Sequence, residues 1–274
     1  MFLSIVIPTY NRVDDLKRCI ESVFKQVRLP DEVIVVDGGD DILINHVNEL
    51  FPSIRLIKSK RGLTVQRNTG IDNLSADSDV VLFLDDDIVL EESFTDRIIE
   101  CYEKDKNLKI GGVDGFPIID GKYTHEVVES PVYQKVQSLY GCNMSYRVKS
   151  IEGLRFDENL GFYAWLEDLD FSLRVGLRYE LVRVNNAFCN HYASPRSRVA
   201  ERKYGFMQMS NWFYLSTKVK LPTSVTISSV LYPLKNLVRV YNPVYKERLV
   251  GNLKAIKSIL INYKNPKLTL SEKL

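Results

Sequence analysis

The sequence predicts an α/β protein with a mostly parallel, doubly wound sheet and a helical extension at its C-terminal end. Over residues 1–90, short apolar segments alternate with amphipathic ones, which is the pattern of parallel strands joined by right-handed helical crossovers. The predicted strands are 3–7, 33–36, 54–57 and 80–84. From residue 198 onward helices predominate, and the predicted breaks between them are Pro222, Pro233 and Pro243.

Helices are predicted between these strands. The first begins at Asn11, where apolar residues start to recur at the 3.6-residue spacing of a buried helix face. These residues are Val13, Leu16, Ile20 and Val23. Two further helices are predicted at 42–50 and 63–74, and another begins at Glu91.

The pattern changes after Lys109. Segments 110–119 and 138–147 are predicted to be extended, and long loops separate them. A short helix is predicted at 169–175, with Gly176 as its C-cap, followed by a strand at 180–184. We therefore divide the chain into residues 1–108, 109–200 and 201–274.

The composition is that of an ordinary globular protein, with 274 residues, 45% hydrophobic and 26% charged. The cysteines, Cys19, Cys101, Cys142 and Cys189, show no C-x-x-C spacing, so neither a zinc site nor a disulfide framework is indicated. The N-terminus lacks the basic start of a signal peptide, and no apolar run approaches the length of a membrane span. We expect a cytoplasmic protein in a reducing compartment.

The net charge of +2 conceals an uneven distribution. Residues 201–274 contain 13 of the 37 Lys and Arg residues but 3 of the 35 Asp and Glu residues, so their charge is +10 and that of residues 1–200 is −8. Such a basic segment suggests an anionic partner, which could be a membrane surface, a polyanionic acceptor or nucleic acid. Its last helix combines basic residues with an apolar stripe, which favours membrane contact or packing on the domain. The stripe is Leu249, Leu253, Ile256 and Leu260, opposed by Arg248, Lys254 and Lys257.

Three consecutive carboxylates, Asp85, Asp86 and Asp87, follow the apolar strand 80–84. Open α/β sheets bind ligands at the ends of such strands. Residues i and i+2 of an extended segment point the same way, so Asp85 and Asp87 could bind one divalent cation while Asp86 points elsewhere. A cation carrying a phosphate ligand would relieve the repulsion among the three acids. A solvated acidic turn is the alternative.

Another acid, Asp37, follows strand 33–36. The adjacent Gly38-Gly39 lacks the third glycine of a dinucleotide fingerprint and ends the second strand rather than the first, which disfavours a nicotinamide or flavin enzyme. An acid in this place can bind a base or ribose, while cations neutralise phosphates. The nearby cations are Lys58, Lys60, Arg61 and Arg67. These residues predict a nucleoside diphosphate bound with a metal ion.

A second acidic cluster, Glu167, Asp168 and Asp170, lies at a predicted helix start just after Trp165. Acids in a first helical turn are stabilised by the helix dipole, which alone could explain one or two of them. The functional alternative is a general base that activates a hydroxyl nucleophile. Two carboxylate clusters, one binding metal and one accepting a proton, suit group transfer from an activated phosphate ester.

His191 follows a strand-like segment, Ala187 to Asn190. Its imidazole could supply a nitrogen ligand to the metal site begun by Asp87. A purely structural histidine is the alternative.

The order of these motifs resembles that of the family 2 glycosyltransferases. Each motif is weak alone, but eight of them occur in the family order within residues 2–200. They are I-V-I-P-T-Y-N-R at 5–12, V-V-D-G-G at 35–39, R-N-T-G at 67–70, D-D-D at 85–87, G-C-N-M-S-Y-R at 141–147, F-D-E at 156–158, E-D-L-D at 167–170 and His191. The resemblance implies a GT-A fold over 1–200, with a nucleotide-binding half (1–108), an acceptor-binding half (109–200) and a basic helical extension (201–274).

The resemblance also implies a role for each matching residue. Asp168 would be the catalytic base, so that transfer inverts the anomeric configuration, and Glu167 would orient the acceptor. Mn²⁺ or Mg²⁺ would be bound by Asp87, Asp85 and His191. The nucleotide would contact Pro8, Thr9, Tyr10, Asn11, Arg12, Asp37, Arg61, Arg67, Asp85 and Asp86. Asn143 and Trp165 would lie near the donor or acceptor sugar.

Two departures from the family pattern concern the nucleotide pocket. D-G-G-D at 37–40 replaces the more usual D-D-G-S, and Gln66 stands where a small residue commonly precedes Arg-Asn. How the base is bound therefore stays open.

We expect a metal-dependent, inverting glycosyltransferase that moves a sugar from a nucleoside diphosphate sugar to a hydroxyl of a glycan or lipid-linked saccharide. No nucleic acid partner is implied, and the C-terminal helices could pair two subunits or contact the cytoplasmic face of a membrane. One alternative is a sugar-1-phosphate nucleotidyltransferase, although no glycine-rich, basic triphosphate loop follows the first strand. The other is a non-catalytic module that binds nucleotide sugars or polyanions.

Overall fold

The computed structural model describes residues 1–39, 47, 49–119, 121, 132–160, 164–192 and 200–270. Its strands are β1 (Leu3–Thr9), β2 (Glu32–Asp37), β3 (Arg55–Lys58), β4 (Val80–Phe83), β5 (Ile88–Leu90), β6 (Ile110–Ile119), β7 (Tyr133–Val136), β8 (Ser145–Arg147) and β9 (Glu180–His191). Its helices are α1 (Val13–Val23), α2 (Leu63–Asp72), α3 (Phe94–Lys104), α4 (Glu167–Val175), α5 (Glu201–Ser216), α6 (Thr223–Val238) and α7 (Pro243–Asn262). Short 3₁₀ segments occupy Val148–Ile151 and Pro266–Leu270.

The described strands form one sheet in the order β3-β2-β1-β4-β8-β6-β9-β5, with β7 beside β9. The first four strands in this order are parallel, as the alternating pattern predicts. Strand β1 is buried on both faces, since Ile5 packs in the core on one side of the sheet and Val6 in the core on the other. Parallel strands end at a common edge, so Thr9, Asp37 and the segment after β4 lie side by side there.

The second half of the sheet is mixed rather than parallel. Strand β8 is antiparallel to β4 and β6, while β9 is parallel to β6 and antiparallel to β5 and β7. Strand β9 unites the two extended segments predicted around 180–184 and 187–190, and it ends with His191 opposite Ile88. The sheet therefore positions this imidazole beside the triple-Asp segment.

Two local predictions are wrong. Segment 138–147 is extended only at Ser145–Arg147, because the Leu139 and Tyr140 amides donate to the side chains of Ser172 and Asp114 instead of to a strand. No helix begins at Glu91, since Ile88–Leu90 pairs with β9 and the helix starts at Phe94. The predicted helix at 42–50 lies mostly outside the described residues.

The C-terminal helices begin where prolines predict. Pro222 is the N-cap of α6 and Pro243 is the first residue of α7. The break predicted at Pro233 is wrong, because this proline lies inside α6. A proline removes one backbone hydrogen bond. The helix is held before Pro233 by packing of Val225 on the cluster of Tyr214 and Leu215, and after it by the Asn236–Asn252 bond. No helix in the described part of the chain is both long enough and apolar enough to cross a bilayer.

Helices α5 and α7 cross at two glycines. A Cβ atom at Gly251 would lie 2.0 Å from the Arg202 carbonyl oxygen, and one at Gly205 would lie 2.1 Å from that of Arg248. The Asn252 side chain donates to the Gly205 carbonyl at 2.6 Å. The buried face of α7 thus consists of small and polar residues, namely Gly251, Asn252, Ala255 and Ser258. The alternative in which the whole apolar stripe of this helix packs on the domain is wrong, because Leu253 and Leu260 are exposed.

We predict that Gly251→Ala lowers the free energy of unfolding by about 1–3 kcal/mol, because a methyl group cannot rotate away from a backbone carbonyl. The better helix propensity of alanine offsets only about 1 kcal/mol. Urea unfolding followed by circular dichroism measures the change. Lys257→Ala on the exposed side of the same helix is the control and should change stability little; equal losses in the two variants would contradict the tight crossing.

Candidate active site

The site is built where β1, β2 and β4 end. The Gln66 side chain connects two of these ends, because its amide donates to the carbonyls of Thr9 at 2.7 Å and Val36 at 2.9 Å. This glutamine is one of the two departures from the family pattern noted in the sequence. Its length is what allows one side chain on α2 to reach both strand ends.

The three consecutive acids contact different partners. Asp86 is fully buried and accepts from the Thr9 hydroxyl at 2.7 Å. Arg12 lies 2.7 Å from Asp86 Oδ1 and 3.0 Å from Asp87 Oδ2, while His191 Nε2 lies 3.4 Å from Asp87 Oδ1. Asp85 points toward Arg67, with 3.0 Å between Oδ1 and Nη2. Two guanidinium groups thereby relieve the repulsion expected among these carboxylates.

Burial leaves this cluster short of positive charge. Desolvation raises the pKa of Asp86 to about 7, against the opposing effect of Arg12, and it also raises the pKa of Asp85. The hydrogen bond to Asp87 raises the pKa of His191. Carboxylates that are costly to ionise favour a bound cation. Asp87 and His191 offer two donors for it, but no set of three Asp, Glu, His or Cys side chains that could hold a metal is found within the described residues.

Arg67 connects the two acidic clusters. This arginine on α2 is 1% exposed, and its Nη1 donates to Glu167 Oε1 at 2.8 Å. Its Nη2 donates to Asp85 Oδ1 at 3.0 Å and to the Gly141 carbonyl at 2.9 Å. The two clusters are therefore one arginine side chain apart. A contact of Arg67 with the nucleotide stays a prediction.

Glu167 and Asp168 start helix α4 after a strained backbone, since Leu166 has φ of 74° and is not glycine. Asp168 accepts from the Gly141 amide at 3.2 Å and from its neighbour Leu169 at 2.8 Å. Burial raises the pKa of Glu167 to about 8 and also raises that of Asp168. A carboxylate with a raised pKa is a stronger proton acceptor near neutral pH.

Several of the residues predicted to bind the nucleotide lie at or near the β1 and β2 ends. Asp37 is buried, accepts from the Gly39 amide at 2.8 Å and contacts Lys58 Nζ. The Arg61 guanidinium lies over the Tyr10 ring at 4.1 Å. Asn11 has a positive φ of 54° and packs against Gly39, where a Cβ would lie 2.1 Å from Asn11 Oδ1. Pro8 is buried in β1 opposite Val36.

Of the two residues predicted near a sugar, only Trp165 is partly exposed. It packs edge to face on Tyr204, with ring centroids 5.2 Å apart. Asn143 is fully buried, and its side chain accepts from the Gly115 amide at 3.1 Å and donates to Cys189 Sγ at 3.1 Å. A contact of either residue with a sugar stays a prediction.

The sequence reasoning missed one buried ion pair. Asp114 Oδ2 lies 2.6 Å from Arg183 Nη2 and accepts from the Tyr140 amide at 2.7 Å. The pair positions the segment that leads to Gly141, whose amide and carbonyl contact Asp168 and Arg67. A single acid inside the apolar segment 110–119 was the available signal.

Comparison with known proteins assigns this architecture to the GT-A glycosyltransferases. The sequence model of the family described as Glycosyl transferase family 2 matches residues 4–159, more than half of the chain, and the chain belongs to that family. The resemblance and the expectation of a glycosyltransferase are thereby confirmed.

Curated relatives agree with this assignment. Glycosyltransferase GlyA of Streptococcus pneumoniae serotype 4 is 23% identical over 288 aligned positions, which cover 96% of this chain and 40% of GlyA. The uncharacterized glycosyltransferase YwdF of Bacillus subtilis is 33% identical over 110 positions, or 38% of each chain. The chain thus spans about two fifths of the length of these relatives.

Solved structures share the fold. S. aureus TarS 1–349 in complex with UDP-GlcNAc superimposes with a TM-score of 0.61 at 14% identity, covering 98% of this chain and 89% of that one. Another crystal structure of S. aureus TarS 1–349 superimposes with a TM-score of 0.59 at 13% identity, covering 98% of this chain and 89% of that one. At this identity the likeness shows the GT-A fold alone.

We predict that Arg67→Met lowers the free energy of unfolding by about 3–5 kcal/mol, because it leaves Asp85 and Glu167 without their buried partner. The loss should be larger at about pH 9 than at about pH 6. Glu167 has a folded-state pKa above its unfolded value, so the stability it contributes declines as pH rises through about 8, and removing Arg67 raises that pKa further. Urea titrations at the two pH values measure this.

Two variants control this experiment. Adding Glu167→Gln to Arg67→Met should recover part of the loss. Arg155→Met removes an arginine whose partner Asp72 is exposed, and it should cost about 0–1 kcal/mol. A loss in Arg67→Met no larger than that in Arg155→Met contradicts the bridge.

Proposed function

We propose that this glycosyltransferase moves a sugar from a nucleoside diphosphate sugar to a hydroxyl of a glycan or lipid-linked saccharide, with inversion at the anomeric carbon. The observation that carries the proposal is the Arg67 bridge. One buried guanidinium contacts Asp85 of the strand-end cluster and Glu167, the neighbour of Asp168. A group that binds the diphosphate and a group that activates the acceptor are thus fixed at one distance, which favours a reactive orientation of the two substrates.

The nucleotide would lie at the ends of β1 and β2. Asp37 can accept hydrogen bonds from a base, and Lys58 and Arg61 can neutralise phosphate charge. Support for a nucleotide sugar donor comes from TarS, whose structure is described with UDP-GlcNAc. Binding of different nucleoside diphosphates, tested below, identifies the base.

A divalent cation, Mn²⁺ or Mg²⁺, fits the chemistry of the donor set. Asp87 supplies a carboxylate and His191 a nitrogen 3.4 Å from it. Asp85 begins the same turn but faces Arg67. Such ions are commonly bound by one or two carboxylates plus phosphate oxygens of the substrate, which the two donors found here allow. When bound, the ion stabilises charge on the departing diphosphate. Arg12, which already contacts Asp86 and Asp87, adds a positive charge on the same side.

Asp168 would accept the proton. Its two oxygens are oriented by the amides of Gly141 and Leu169, and burial raises its pKa. Glu167 is paired with Arg67 and so serves to orient the acceptor and the helix start. As Asp168 takes the hydroxyl proton, the acceptor oxygen bonds to the anomeric carbon and the carbon–oxygen bond to the diphosphate breaks. Attack from the face opposite the leaving group inverts the configuration.

We predict that Asp168→Asn lowers kcat for sugar transfer about 10²- to 10⁴-fold, because an amide cannot accept the proton. Binding of the nucleoside diphosphate should be unchanged. Release of nucleoside diphosphate from the donor measures turnover, and calorimetry measures binding. Asp96→Asn on the exposed surface of α3 is the matched control; full turnover in Asp168→Asn would remove this residue from the role.

We predict that one of the uridine, guanosine, thymidine and cytidine diphosphates raises Tm by about 5–10 °C at roughly 100 times its Kd, and that the rise requires Mn²⁺ or Mg²⁺. Asp87→Asn should abolish the metal-dependent part of the shift, and Asp37→Asn the preference for one base. Differential scanning fluorimetry with and without metal gives the result. The Asp96→Asn protein should behave like the wild type, and a full shift in metal-free buffer would argue against the cation.

A further inference from the structure

Helix α6 buries its polar face and exposes its apolar face. Its buried residues, Ser229 and Asn236, are seven positions apart and lie on one side, where Asn236 Nδ2 donates to Asn252 Oδ1 of α7 at 2.6 Å. The exposed side carries apolar residues at helical spacing, namely Ile227, Val230, Leu231, Leu234, Leu237 and Val238. A helix of a water-soluble domain normally turns such a stripe toward the core.

Exposed apolar residues also occur beyond this helix. Val240 and Tyr241 follow it in the turn before α7, and Tyr241 is 85% exposed. On α7 the residues Leu253, Leu260 and Ile261 are exposed as well. We refer to these exposed residues of 227–261 together as the C-terminal apolar surface. Large exposed apolar residues concentrated in this way on two packed helices mark an interaction site.

The charges along the same helices are almost all positive. Residues 223–270 contain eight Lys and Arg residues and one acid, Glu247, which pairs with Arg202 at 2.8 Å. Lys235, Lys254 and Lys257 form no ion pair with any carboxylate of the described residues. Lys235 and Lys254 directly follow Leu234 and Leu253 of the apolar surface in the sequence.

We propose that the C-terminal apolar surface binds an anionic lipid bilayer, with α6 and α7 lying in the plane of the interface. Acyl chains accept the apolar side chains, and anionic headgroups match the lysines beside them. A second copy of this chain fits less well, because a two-fold contact would bring two strongly cationic segments together. Helix α6 has 16 residues, which suits an interfacial helix rather than a spanning one.

Co-sedimentation of the full chain with vesicles tests the proposal. We expect binding to phosphatidylglycerol vesicles, weak binding to phosphatidylcholine vesicles, and weakening by salt. The triple variant Ile227→Ser/Leu231→Ser/Leu234→Ser should bind phosphatidylglycerol more than about tenfold more weakly. The triple variant Lys235→Gln/Lys254→Gln/Lys257→Gln should bind phosphatidylglycerol vesicles about 100-fold more weakly, because each lysine near the surface contributes roughly fivefold to the affinity.

The control removes three exposed apolar side chains elsewhere, in Val27→Ser/Leu29→Ser/Leu177→Ser, and should bind like the wild type. Hydrogen exchange of the unmodified protein provides a second readout, because vesicles should slow exchange in 223–262 more than in β1 to β4. Absence of phosphatidylglycerol binding, equal loss in the control, or a dimer that depends on Leu231 and ignores vesicles would each overturn the proposal.

Discussion

The buried guanidinium of Arg67 is the interaction on which the site depends. Arginine presents donors in a planar fork, so one side chain can contact Asp85, Glu167 and the Gly141 carbonyl at once. A lysine has one charged nitrogen and could not span the same three acceptors. Because a buried charge is costly unless it is paired, each partner constrains the others. The loop after β4, the turn at Gly141 and the start of α4 are therefore positioned together.

The remaining electrostatics follow from this arrangement. Arg67 and Arg12 neutralise part of the acidic charge, yet burial still raises the pKa values of Asp85, Asp86 and Glu167. Such a site gains from any further positive charge at the strand-end cluster, which is what a metal-bound donor would bring. At the other cluster, burial makes Asp168 more basic without removing it from its two amide donors. One guanidinium thus contacts two clusters whose carboxylates lie in different electrostatic surroundings.

Much of the fold could be predicted because it depends on local pattern. Apolar runs predict β1, β2 and β4, and the parallel order of these strands places Asp37 and Asp85 at one edge of the sheet. His191 lies beside Asp87 because β5 pairs with β9. The Arg67–Glu167 contact joins residues 100 positions apart, and no spacing rule reaches that far. Strand β5 was missed because three residues carry too little periodicity.

The C-terminal helices show how an apolar surface can stay exposed in a well-packed protein. Helix α7 approaches α5 through glycines, with Ile256 and Ile259 packed beside the crossing. Helix α6 is attached to α7 by a buried Asn236–Asn252 bond, so these contacts leave Leu253 and Leu260 exposed. Helix α5 also contributes Tyr214 and Leu215 to the core that contains Leu169 of α4. The helices that carry the proposed lipid contact therefore connect through α5 to the helix of Asp168. Since residues 1–200 carry −8 and residues 201–274 carry +10, an anionic surface would attract the helices and repel the rest of the chain, which favours an orientation with α6 and α7 toward the lipid.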